Sequence, residues 1–244
     1  MSTETNTTAV SQDRRPAFRR AAIVAGVSGL AMGVAGIAAN ALVLGLLGAD
    51  AAATEMRIAE APVLLRIAIL CFLAVAVLDI VFAWALRRYF GGVQEGLAEL
   101  AAWLRIAYAA VLVVAVSSLV DALRVSTEEG WGSASDAHGM LGAFSGTWQL
   151  GLVVFSVHLA VLAAILVRDP GSPTWLGIVI GMAALGYAAD GAAKVLLPAD
   201  AGVHDILIYL VAIPSVIGEI GLAFWFLFRG GRARTSGVRR PSGS

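Results

Sequence analysis

Six long apolar runs, separated by short polar or turn-forming stretches, make up most of the chain. They cover about 21–47, 62–86, 101–125, 147–168, 174–197 and 206–228. Each is near the ~20 residues that an α-helix needs to cross the hydrocarbon core of a bilayer. The breaks between them carry turn and cap residues: Gly91-Gly92, a longer loop near 126–146, Asp169-Pro170-Gly171-Ser172-Pro173, and the segment from Pro198 to Gly202. Barrel strands would be about half as long and would alternate polar with apolar positions. The pattern therefore predicts an all-α integral membrane protein, a bundle of six transmembrane helices. The first run, Ala21 to Leu47, has no charge and exceeds the roughly 7–15 apolar residues of a signal-peptide core, so it counts as a span. Residues 1–20 are polar, rich in Ser and Thr, and end in two Arg pairs. They read as an unfolded tail, as do the basic residues 230–244.

Composition sharpens this. Of 244 residues, 59% are hydrophobic and 14% charged, against about 45–50% and 25% in soluble domains. So few charges cannot cover a water-facing surface, which excludes a soluble enzyme. Net charge is zero, and no basic face exists away from the tails, which excludes a nucleic-acid partner. Cys71 is the single cysteine, so there is no disulfide framework and no thiolate metal cluster.

Orientation follows from Lys and Arg in the short loops. Arg14, Arg15, Arg19, Arg20, Arg87, Arg88 and Arg168 fall on one side, with five more arginines between 229 and 240. The opposite loops hold Arg57. Both termini are therefore expected in the cytoplasm. Trp84, Trp103, Trp175 and Trp225 fall at the inner boundary, and Trp131 and Trp148 near the outer one. Such aromatic belts are usual at membrane–water interfaces. Gly29/Gly33 in the first span and Gly177/Gly181 in the fifth have the spacing that lets helix backbones approach in lipid.

Five segments carry a resemblance: LDIVFAWALRRYF (78–90), AAWLRIAYAA (101–110), FSVHLAVLAAILVR (155–168), LGYAADG (185–191) and IPSVIGEIGLAFWFLFRG (213–230). In order and spacing the chain resembles the bacterial membrane family catalogued as domain of unknown function 4386, from about the first span to Gly230. Arg87 stands where that family usually has Tyr, and the loop 168–177 is more polar than its usual version. The resemblance implies a multi-pass protein of a bacterial plasma membrane and supplies no reaction.

Candidate chemistry lies in the polar residues within the spans. An ionisable group at the bilayer centre costs on the order of 2.5–3.5 kcal/mol or more. Counted from the inner ends of their spans, Asp79, His158 and Glu219 lie at nearly one depth, ~13–15 Å in at the rise of an α-helix. This layer of two acids and one imidazole is the candidate intramembrane site. A second, outer layer comprises Asn40, Arg66, Asp121, Tyr187, Asp190 and Lys194, with Arg124 beside it. Asp190 and Lys194 are four apart, acid first, the favourable order for an ion pair. Arg66 and Asp121 are placed to pair across adjacent helices. For Arg66, Arg105 and Arg124 the plain reading is snorkelling to the nearer interface.

Pro214 removes a backbone hydrogen bond about one turn before Glu219 and should kink the sixth span. A kinked helix with a deep acid near a His suits binding and translocation of a small polar or cationic solute, or of protons. That is the leading functional expectation, with no cofactor and the bilayer as surroundings. Two alternatives stay open. One is an intramembrane metal-dependent hydrolase, which would use His158 with the carboxylates as ligands. The other is an accessory membrane protein whose polar groups fix helix packing. Nucleotide-binding glycine motifs and a G-x-S-x-G nucleophile are absent.

Overall fold

The computed structural model describes residues 4–92, 94–128, 130, 132–198 and 202–230, with the side chains of 4–17, 203–206 and 208 excepted. The predicted tail at 231–244, Trp131 and the side chain of His204 lie outside these. Among the described residues seven helices follow in order: α1 (Glu4–Leu46), α2 (Ala51–Glu60), α3 (Pro62–Phe90), α4 (Glu95–Thr127), α5 (Ala134–Arg168), α6 (Thr174–Leu196) and α7 (Val203–Phe228). Six of them contain stretches long and apolar enough to cross a membrane. With an even number of crossings, both ends of the bundle's chain reach the same face, called here the termini face.

Every spanning helix packs on its neighbours in chain order, and α7 closes on α1, so the helices form a ring around a central axis. Outward-pointing side chains such as Leu70, Val77, Val114 and Leu185 are exposed and apolar, the surface a bilayer requires. On the termini face, Arg19 donates to the carbonyls of Phe226 and Gly230, at 3.3 and 2.7 Å. It caps α7 with a cation where the helix dipole is negative.

Three differences from the sequence-based expectation have physical causes. The segment 1–20, expected to be unfolded, continues α1 back to Glu4, since extending a helix already formed fixes only one further residue per hydrogen bond. The loop expected at 126–146 is mostly helix, because Ser133 and Asp136 form a capping box that starts α5 at Ala134. The connection after the first span holds α2. It is too short to cross a membrane, its Asp50 side chain accepts from the Ala53 N–H, and it buries Thr54 and Ile58. Thr54 Oγ1 lies 2.9 Å from His138 Nδ1, tying α2 to the start of α5.

Small residues set the closest contacts. Gly177 lies against Leu166 and Val167 of α5, as the sequence predicts for the fifth span. In the first span the close pair is Gly26 and Gly29. A Cβ on Gly26 would meet Leu227 at 2.5 Å and the Ala223 carbonyl at 2.9 Å, while one on Gly33 would meet nothing within 4 Å. Gly26→Val should therefore wedge α1 from α7 and cost ~1–3 kcal/mol, the range for overpacking a filled site. A thermal melt in detergent checks this, with Gly33→Val, predicted near neutral, as the comparison.

Pro214 sits inside α7 and leaves the Leu210 carbonyl without its intrahelical donor. Gly186 of α6 approaches that carbonyl so closely that a Cβ there would lie 3.0 Å from the oxygen. Ser215 Oγ donates to the neighbouring Val211 carbonyl at 2.6 Å.

Candidate functional site in the bundle interior

The polar layer is centred on Arg105. Asp79 of α3, Arg105 of α4 and His158 of α5 are all buried where the three helices meet. The Arg105 Nε–H donates to Asp79 Oδ1 at 2.7 Å, and the side chains are only 5% and 1% exposed. One terminal nitrogen lies 3.1 Å from His158 Nε2, and the other donates to the Met32 sulfur of α1 at 3.6 Å. The guanidinium also faces two aromatic rings, Phe82 at 4.4 Å and Phe155 at 5.1 Å. Such cation–π contacts strengthen when desolvated.

The imidazole's protonation follows from its neighbours. His158 Nδ1 is 2.8 Å from the Ala101 carbonyl, which only accepts, so Nδ1 carries the hydrogen. An Arg nitrogen only donates, so Nε2 must be the bare nitrogen. His158 is thereby neutral, and both ring nitrogens are engaged.

Glu219 of α7 lies close enough to Arg105 and Asp79 to interact electrostatically with both. It is half-buried. The layer thus holds two carboxyl groups and one guanidinium. Arg105 satisfies one oxygen of Asp79; the other, Oδ2, is buried without a hydrogen-bond partner.

The sequence-predicted residues separate into groups. Asp79 and His158 are brought together, bridged by Arg105, with Glu219 nearby. Tyr187 stands beside this layer: its ring meets Phe155 edge-on at 5.7 Å. Lys194 Nζ reaches Asp190 Oδ2 at 2.6 Å, the pair read from the spacing. Asn40 and Asp121 are half-buried and Arg66 is exposed. Among the described residues no ion pair joins Arg66 to Asp121. Equal depth did not bring them together, because Arg66 is on the outward side of α3, whose buried face is Leu65, Ala68, Ile69 and Phe72.

Arg105 is the correction of most consequence. Read as snorkelling to the interface, it is instead the centre of the site. α4 starts at Glu95, six residues before the apolar run. Counted from Glu95, Arg105 lies ten residues in, the depth of the acids and the imidazole. Trp148, read as an interfacial anchor, also turns inward, donating to the Tyr108 hydroxyl at 3.0 Å.

These features define a polytopic α-helical membrane protein with a charged centre inside its helix ring. The family described as "Domain of unknown function (DUF4386)" matches residues 24–230, and the chain belongs to it. A similar protein is one titled "Uncharacterized protein" from Archaeoglobus fulgidus, 27% identical over 156 residues, which are 64% of this chain and 79% of the relative. No solved structure matches the chain.

Proposed function

We propose that the protein binds and translocates a small cationic solute, coupled to protons, through the layer of Asp79, Arg105, His158 and Glu219. The observation that carries this is charge balance. One guanidinium stands among two carboxyl groups in a low-dielectric interior, so a proton or a cation is needed to complete the layer. Arg105 holds Asp79 in place, and the neutral His158 holds Arg105. Glu219, on the helix that Pro214 weakens, is the group left to exchange its partner.

The packing reading draws on the engagement of all three Arg105 nitrogens. The two readings differ in whether water reaches Glu219. In a Cys71→Ala background, Glu219→Cys should react with a small hydrophilic thiol reagent at least tenfold faster than Phe226→Cys. Equal, negligible rates would leave a dry interior and a purely structural layer.

The hydrolase reading has less support. Among the described residues no three His, Cys, Asp or Glu side chains come together as a metal site, and both nitrogens of His158 are engaged. The arginine distribution favours an orientation with the termini face in the cytoplasm. Ser133→Cys should then be modified by an impermeant reagent from outside the cell and Gln94→Cys should not; the reverse pattern inverts the orientation.

A further inference from the structure

The seam between α1 and α7 is closed at one end only. Near the termini face, Gly26 and Gly29 of α1 pack on Leu227 and Ala223 of α7, and Ala22 packs on Gly230 just beyond its end. The same stripe of α1 continues as Gly33, with no neighbour for a side chain, and Ile37, which is 66% exposed. The matching stripe of α7 runs through Ile220, Ile217 and Ile213, exposed at 40%, 52% and 58%. Its other face, Gly218, Pro214 and Ser215, is buried, with Gly218 close to Ile180 of α6. Beyond Gly29, then, each helix keeps one packed face and the two lose each other. Glu219 stands where the seam changes from closed to open.

We propose that this open seam is a lateral portal from the bilayer to Glu219, and that its ligand is a hydrophobic organic cation with a single positive charge. The walls argue for the apolar body: Gly33, Ile37, Ile213, Ile217 and Ile220 offer nothing to replace the hydration shell of an inorganic ion. The vertex argues for the charge. Arg105 is paired with Asp79, so the layer holds one further carboxyl group, Glu219, with no ion pair of its own among the described residues. The buried, unpartnered Oδ2 of Asp79 adds to the negative potential there. This inference rests on the reading of Glu219 as the exchanging carboxyl group, and it adds the route and the ligand class.

The test uses the full chain in lipid nanodiscs and the probe tetraphenylphosphonium, measured by equilibrium dialysis with empty nanodiscs as background. Saturable binding is expected, weakened at least tenfold by Glu219→Gln. Gly33→Trp, which puts bulk into open space, should weaken it at least tenfold with an unchanged melting temperature. Glu219-dependent binding that Gly33→Trp leaves intact overturns the portal and keeps the carboxyl site. No saturable binding, in a protein whose Glu219→Cys still reacts with hydrophilic reagent, overturns the ligand class and leaves the proposed function standing. Spontaneous cross-linking of Ile213→Cys between two copies makes the seam a subunit interface and overturns the portal.

Discussion

Replacing Arg105 with Met should be the most damaging single change in the membrane interior. It removes the one partner of a carboxylate that is 1% exposed, and breaking a buried pair from one side costs about 3–5 kcal/mol. The loss is mainly the stranded charge of Asp79 rather than the net value of the pair. Arg105→Met combined with Asp79→Leu should therefore be markedly more stable than Arg105→Met alone, because a buried ion pair replaced by apolar side chains is often neutral or better. Thermal unfolding of the three variants in one detergent checks this. Additive losses in the double variant would mean that the two side chains are not coupled.

His158 is expected to show the second largest effect. His158→Leu leaves one Arg105 nitrogen facing hydrocarbon, and an unsatisfied buried donor costs ~1–3 kcal/mol, more when charged. His158→Gln keeps an acceptor oxygen on a side chain of comparable reach and should recover a substantial part of the loss. If Gln and Leu destabilise equally, the imidazole contributes by volume and its stacking on Phe155, with centroids 5.6 Å apart, rather than by accepting from Arg105.

The contrast between Asp79 and Arg105 shows what hydropathy makes legible. Apolar runs reveal how many times the chain crosses a bilayer, because the solvent itself imposes the signal. They do not reveal where a helix begins, because a helix continues into the headgroup region with polar side chains. α3 and α5 end beside arginines that mark the interface, and Asp79 and His158, counted from those ends, fall at one level. α4 begins with Glu95 and Glu99, which look like loop, and the count from Ala101 left Arg105 apparently shallow. A layer of two acids with no cation is itself a sign that a basic residue belongs beside them.

Lateral position is less legible than depth. Gly29 and Gly33 are equivalent by spacing, yet only Gly29 meets another helix, since α7 leaves α1 between them. Arg66 and Asp121 share a depth but not a face. Asp190 and Lys194 were readable because one helix holds both, so spacing alone fixes their approach. α2 is not legible in hydropathy because a ten-residue helix gives no long apolar run; its signal is the Asp50 cap with Thr54 and Ile58 on one side.

The central claim is that Asp79, Arg105 and His158 form one connected assembly in which the imidazole is neutral and accepts from the guanidinium. Nitrogen NMR of the histidine rings in the full-length protein, in lipid at neutral pH, reads this directly. The chain has three histidines, and His158→Gln identifies the signal that belongs to the site. The account predicts one hydrogen-bearing and one bare nitrogen in slow exchange, with the bare nitrogen hydrogen-bonded and shifting in Arg105→Met. A doubly protonated ring, or a ring whose signals do not respond to Arg105→Met, would contradict it.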